Sequence, residues 1–129
     1  MKPEGLLAKA ERALESADLL LSAGDPDGAC NRAYYAMFDS ARAALLQIAP
    51  NFVEIKTHGG LISAFSQHLV KPGHISVELG KAINATEDMR VAADYKSEPI
   101  NLDSATWAVA EAHRFVVAVR ELVLGSAKA

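Results

Sequence analysis

The spacing of proline constrains this chain most, because proline is tolerated at the start of a helix and interrupts a helix interior. The prolines fall at nearly even intervals, at Pro3, Pro26, Pro50, Pro72 and Pro99. They divide the chain into pieces of helix length. Alanine, the strongest helix former, supplies 24 of the 129 residues and aromatic residues only 6%, which favours helix over sheet.

Apolar residues recur at helical spacing within each piece. The first piece carries one apolar stripe that ends near Gly24, a residue suited to the left-handed position after a helix. Asp25 and Pro26 have the residue types of an N-cap and a first helical position. We therefore predict a second helix from about Pro26 to Ala49.

Three further helices follow from the same pattern. A short helix is predicted between Leu61 and Leu69 and a longer one from about Ser76 to Tyr95, and either Asn101 or Asp103 caps the last. We predict an all-α bundle of four main helices and one short helix, forming a single domain over residues 1–129.

Composition narrows the function classes. The lone Cys30 excludes an internal disulfide and a cysteine cluster for zinc, and a Glu-x-x-His pair for a di-iron site is absent. We expect no metal and no cofactor. No apolar run approaches the ~18–20 residues that cross a bilayer, so we expect a cytoplasmic protein without a membrane partner. A net charge of -3 argues against a surface coated with phosphate-binding charge, but not against a local basic cleft.

One face of the second helix does not fit a plain bundle. Arg32 and Asp39 are seven residues apart and point the same way, ~10 Å apart along the axis, opposite the predicted core stripe. Tyr35, Arg42 and Leu46 flank them. This mixture is typical of an interface or a site. The alternative is a solvated face on which Arg42 pairs with Asp39 at a spacing of three residues.

The same residues carry a family resemblance. The segment 31–46, NRAYYAMFDSARAALL, closely resembles the signature helix of small stand-alone bacterial and archaeal HEPN-domain proteins. The preceding GDPDGA, the following KTHGGLI, and Arg90 with the later ADY also match that branch. The resemblance covers about residues 5–124. Our expectation for Arg90 and Tyr95 is structural pairing rather than chemistry.

The resemblance implies an antiparallel helical bundle that homodimerises. Many HEPN proteins are metal-independent endoribonucleases that act as toxins beside a nucleotidyltransferase-like antitoxin, and others bind RNA or nucleotides without catalysis. The active pattern is an arginine, four to six intervening residues and a histidine, with two copies meeting at a shared cleft. Arg32 takes the arginine position here, and Asp39 stands where the histidine is expected.

That departure changes the chemistry expected of the Arg32 and Asp39 catalytic pair. A histidine exchanges protons near neutral pH, whereas an ordinary aspartate stays ionised and repels phosphate. We expect a weakened or absent endoribonuclease. The alternative is a non-enzymatic dimeric module that binds a nucleotidyltransferase-like or other protein partner.

The remaining expectations concern binding. RNA or phosphate contacts are assigned to Arg42, Lys56 and His58, and the dimer face to Tyr35 and Leu46. For His58, the alternative is a loop histidine beside a helix cap supplied by Thr57.

Overall fold

Five helices make up the part of the chain that the computed structural model describes, residues 2–50 and 57–128. They are α1 (Pro3–Ser22), α2 (Pro26–Ile48), α3 (His58–Phe65), α4 (Val77–Lys96) and α5 (Leu102–Lys128). The second helix, α2, is central and packs against the other four. These ranges contain no strand, which confirms the all-α prediction. Within them, no helix combines the length and the apolar character needed to cross a bilayer.

Side-chain caps fix where four of the helices begin. Each cap oxygen accepts a hydrogen bond from a backbone N–H in the first turn, which satisfies a donor that the helix leaves free. The pairs are Asp25 with Gly28 at 3.0 Å, Thr57 with Gly60 at 2.9 Å, Ser76 with Leu79 at 3.3 Å and Asn101 with Ser104 at 2.8 Å. Asn101, rather than Asp103, therefore caps α5.

The end of α3 departs from regular α-helix. The chain continues through a π-helical turn, Ser66–Val70, in which the Lys71 N–H bonds the Ser66 carbonyl at 2.9 Å. This wider turn keeps Leu69 fully buried before the chain turns at Gly73, which has a φ of +91°. Such turns lie frequently beside functional sites.

The predicted apolar stripes form the core. Tyr34 on α2 is fully buried, and the rings of Phe65 and Phe115 stack across α3 and α5 with their centroids 5.2 Å apart. The buried surface of α2 extends further around the helix than the sequence pattern predicted, because other helices pack on several of its sides. It includes the polar residues Asp39 and Ser40.

Candidate functional site

Arg32 lies half-buried on α2 beside Tyr35. Its guanidinium carbon is 5.6 Å from the centroid of the Tyr35 ring. Within the described residues Arg32 makes no ion pair, and its buried Nε has no hydrogen-bond partner. An arginine held against an aromatic ring with unused donors is suited to bind an anion such as phosphate.

Asp39 occupies a different environment from the one expected. Only 6% of Asp39 is exposed, so it lies deeper in the bundle than the half-buried Arg32. Burial raises the pKa of Asp39 above its ordinary value, while the charges of Lys9, Arg42 and Arg32 act in the opposite direction. Its ion pair with Arg42 spans 3.9 Å between Oδ1 and Nη1, which is the pairing that the alternative interpretation predicted.

A second charged group projects from α4 toward α2. Arg90 donates from Nη2 to Glu87 Oε1 at 2.7 Å, and its Nη1 lies 3.6 Å from Asp94 Oδ2. Burial by itself lowers the pKa of Arg90, but the hydrogen bond to Glu87, the charge of that carboxylate and the two tyrosines together raise the pKa above its ordinary value. The guanidinium carbon lies 4.9 Å from the ring centroid of Tyr34 and 5.9 Å from that of Tyr35. Arg90 is therefore held as a cation, which confirms its expected structural pairing.

His58 meets this group from the first position of α3. Its Nδ1 lies 3.4 Å from Arg90 Nη2 and 3.7 Å from Glu87 Oε2. Its ring packs on Phe38, with the centroids 4.5 Å apart, and touches the ring of Tyr35 edge to face at 5.9 Å. Thr57 forms the expected cap beside it, but His58 also belongs to a network of charged and aromatic side chains.

Tyr35 joins the two groups, since Arg32, His58 and Arg90 all lie against its ring. We call Arg32, Tyr35, His58, Glu87 and Arg90 the Tyr35 cluster. Underneath it, burial raises the pKa of the Tyr34 hydroxyl, and the Glu87 carboxylate adds to the effect. That hydroxyl therefore stays protonated at neutral pH.

The other predicted residues lie apart from the Tyr35 cluster or outside the described residues. Arg42 is engaged with Asp39, and Leu46 is partly exposed further along α2. Lys56 falls outside the residues that the structure describes. Tyr95 is 85% exposed, so the structural pairing expected of it is wrong.

Sequence reasoning missed Glu87. The available signal was its position three residues before Arg90 on a predicted helix, a spacing that allows an ion pair. That spacing indicates a pair, but it does not indicate that His58 meets it from another helix.

The chemistry of the remaining groups is limited. Burial raises the pKa of Cys30 to about 11, so its thiol is protonated and unreactive at neutral pH. Among the described residues, no group of three histidine, cysteine or acidic side chains is arranged to hold a metal ion. The Tyr35 cluster therefore offers cations, an imidazole, a carboxylate and an aromatic face.

Comparisons with known proteins give one family. A model of the HEPN domain matches residues 3–122. The chain is 37% identical to "UPF0332 protein glr0978" of Gloeobacter violaceus over 97 residues, which are 74% of this chain and 75% of the relative. It is 33% identical to "Putative toxin MJ0142" of Methanocaldococcus jannaschii over 88% of this chain and 76% of that one. "Putative toxin MJ0605" of the same organism is 32% identical, over 92% and 86% of the two chains.

Proposed function

The chain belongs to the HEPN family, and from that premise we propose that it is an RNA-associated protein of the toxin type, cytoplasmic and folded as a single domain. Two relatives similar to it over most of their length carry the word toxin in their names. In this proposal it works as a homodimer beside a nucleotidyltransferase-like antitoxin. Tyr35 and Leu46 contribute to the dimer face.

The state of Arg32 carries the proposal. Two other arginines are neutralised: Arg42 pairs with Asp39, and Arg90 pairs with Glu87 and Asp94. Arg32 is half-buried, is oriented by Tyr35 and makes no ion pair within the described residues. A positioned, planar guanidinium without an ion-pair partner among the described residues can donate to two non-bridging oxygens of a phosphodiester, and it stabilises the extra negative charge that develops when phosphorus is attacked.

Asp39 limits what this site does. In ribonucleolysis by internal transfer, the RNA 2′-hydroxyl attacks the adjacent phosphorus while a base accepts its proton. Asp39 is buried, and its ionised form adds a negative charge near the position that Arg32 offers to phosphate. We therefore propose a weak endoribonuclease with a degenerate Arg32-x6-Asp39 motif. Such a protein retains RNA binding but cleaves RNA inefficiently.

The test measures binding and cleavage of one RNA by matched variants. A fluorescein-labelled single-stranded oligoribonucleotide is titrated with wild type and Arg32→Ala, and anisotropy gives the Kd. We expect Arg32→Ala to raise the Kd about tenfold, because a charge-assisted contact to phosphate contributes roughly 1.5–3 kcal/mol. Arg12→Ala, which removes an exposed arginine of α1, serves as the control for net charge.

Cleavage of the same RNA tests the Asp39 part of the proposal. We expect Asp39→His to cleave faster than wild type, because it restores an imidazole at the position that the family pattern assigns to histidine. Absence of RNA binding by wild type across single-stranded and structured RNAs would remove the proposed function. An unchanged rate in Asp39→His would remove the degenerate-motif explanation alone.

The alternative function is a non-enzymatic dimeric module. Replacement of the expected histidine by a buried aspartate paired with Arg42 favours it over efficient catalysis. Co-expression with a nucleotidyltransferase-like protein, followed by light scattering, measures the mass of any complex. A stable complex from a chain that binds no RNA would select this alternative, and a monomer with no partner would contradict both functions.

A further inference from the structure

One face of α5 carries large apolar side chains that point to solvent. They recur at alternating spacings of three and four residues, so they form one stripe along about 26 Å of the helix. Trp107, Val117 and Leu124 are 40%, 55% and 36% exposed, and Ala110 is exposed as well. The helix already buries a different face, which includes Phe115, in the core. An aligned apolar stripe on a helix that is packed elsewhere indicates an interaction surface.

Two opposite charges occupy the remaining positions of the repeat. The side chain of Arg114 is 67% exposed, and it pairs with Glu111 one turn earlier at 3.4 Å, an exposed pair of small energetic weight. Glu121 is exposed and forms no ion pair with any described residue, and no basic residue lies three or four positions from it on the helix. We call the complete set the α5 stripe: Trp107, Ala110, Arg114, Val117, Glu121 and Leu124.

The basic side chains beside the α5 stripe are already engaged with α1. His113 Nε2 lies 2.9 Å from Oδ1 of Asp18. Arg120 Nη1 lies 3.1 Å from Oε1 of Glu11. These two contacts join α1 to one flank of α5 and leave the α5 stripe itself uncovered. Among the described residues, the chain therefore supplies no counter-ion for Glu121.

We propose that the α5 stripe binds the α5 stripe of a second copy of this chain, with the two helices antiparallel. The stripe is complementary to itself only when it is reversed. Arg114 precedes Val117 by three residues and Glu121 follows it by four, so a two-fold rotation brings Arg114 of each copy toward the partner's Glu121. A parallel copy sets like charges side by side, which disfavours that orientation.

The apolar residues agree with the same register. With the two-fold axis between positions 115 and 116, Trp107 lies opposite the partner's Leu124, so the largest side chain of each stripe covers an apolar one. The small Ala110 lies opposite the partner's Glu121. It leaves room for that carboxylate to reach Arg114, which is one turn further along the helix. Apolar contacts at the two ends therefore enclose a pair of charge contacts that fixes the orientation.

The α5 stripe is separate from the Tyr35 cluster, whose members come from α2, α3 and α4. No described ion pair or ring contact joins the two surfaces. The inference therefore goes beyond the proposed RNA function, and it adds an interface to the α2 face that the proposed homodimer uses. A chain that pairs with itself through two such faces can close into a tetramer.

The test exchanges the charges of the α5 stripe and measures mass by sedimentation equilibrium. Protein is used at about 100 μM, above the micromolar Kd expected of a small interface, so unfolding measured at lower concentration reports the separate chain. We expect Arg114→Glu and Glu121→Arg each to halve the wild-type mass, because each sets like charges together twice. Arg12→Glu, the same charge change at an exposed position of α1, is expected to keep the wild-type mass.

The variant with both substitutions separates association from folding. It places the same glutamate beside Glu111 as the single variant does, but it restores two opposite-charge contacts between copies, so we expect it to regain the wild-type mass. An equimolar mixture of Arg114→Glu and Glu121→Arg restores them as well. Native mass spectrometry of that mixture is expected to find assemblies that contain both variants in equal number.

Trp107→Ala tests the apolar part of the α5 stripe without changing its charge. We expect it to raise the Kd of association at least about tenfold, because each of the two copies loses its largest contact. Its circular dichroism melt at low concentration is expected to match that of wild type, since Trp107 lies outside the core cluster.

The outcomes decide the inference without reference to RNA binding. A monomeric wild type at about 100 μM overturns it. A wild-type assembly whose mass is unchanged in Arg114→Glu and in Trp107→Ala also overturns it, because the copies then meet elsewhere and the α5 stripe serves a different protein. Loss of mass in the single variants without recovery in the double variant or the mixture contradicts the antiparallel register. Recovery in both supports the inference.

Discussion

At the scale of single residues, the chain places its charged side chains in two environments along one helix. Asp39 is buried where α2 packs in the bundle, and its carboxylate is compensated loosely, at 3.9 Å from Arg42. Arg32, two turns earlier, packs against Tyr35 and forms no ion pair with another described residue. Desolvation raises the free energy of the ionised Asp39 carboxylate. It also makes a bound anion favourable for the half-buried Arg32 guanidinium.

Asp39→Asn tests this burial through the pH dependence of stability. Because the pKa of Asp39 is raised by folding, the folded state binds more protons than the unfolded state between the ordinary value of 3.8 and the raised value. Stability from this group is therefore present at low pH and is lost as pH rises. We expect wild type to gain stability relative to Asp39→Asn as pH falls from 7 to 4, measured by urea unfolding.

The control for that series is Ser40→Ala. Ser40 is buried beside Asp39 and donates to the Ala36 carbonyl at 2.7 Å, but its side chain does not titrate over this range. The difference between wild type and Ser40→Ala is expected to stay constant with pH. A difference for Asp39→Asn that is equally flat, or that favours wild type more at pH 7, would contradict the assignment.

At the scale of elements, local sequence decides where four of the helices begin. Asp25 caps α2, Thr57 caps α3, Ser76 caps α4 and Asn101 caps α5, in each case from a residue type that prefers this position. The cap of α3 matters for the Tyr35 cluster, since it immediately precedes His58 and fixes the direction in which that side chain leaves the backbone.

Asp25→Ala measures what one cap contributes to the central helix. Asp25 accepts from the Gly28 N–H at 3.0 Å and places a negative charge at the positive end of α2. We expect Asp25→Ala to lower the free energy of unfolding by about 1 kcal/mol, seen as a lower urea midpoint with an unchanged slope. Asp25→Asn keeps an accepting oxygen, so a loss equal to that of Asp25→Ala would show that the cap is not the cause.

At the scale of the whole molecule, α2 holds the bundle together by packing against every other helix. Aromatic contacts then connect elements that are distant in sequence, as where Phe65 of α3 stacks on Phe115 of α5. The Tyr35 cluster depends on the same arrangement, because its members come from α2, α3 and α4. Its geometry is therefore a property of the packed bundle.

Phe115→Ala tests the core at this scale. Phe115 is fully buried, and its removal leaves a cavity beside Phe65, so we expect a loss of about 3–5 kcal/mol in urea unfolding. Val117→Ala, on the exposed side of the same helix, is expected to change stability by less than about 0.5 kcal/mol. If Phe115→Ala does not fold, Phe115→Leu replaces it. We expect this smaller truncation to lose less stability than Phe115→Ala but still more than Val117→Ala. Equal effects at the two positions would contradict this assignment of the core.

The sequence by itself determined the helices, the cap of α2 and the family, because periodicity, capping and a signature segment are local properties of the chain. It also singled out Arg32 and His58 as candidate site residues. Only the tertiary structure decided that Asp39 is buried and that His58 meets Arg90, 32 residues away, together with Glu87 at the ring of Tyr35. The reason is physical: burial and contacts between helices depend on which elements pack together, and the sequence of a single helix does not specify its packing partners. The proline spacing divided the chain into helical segments, and the packing of those helices decided which charged and aromatic side chains meet.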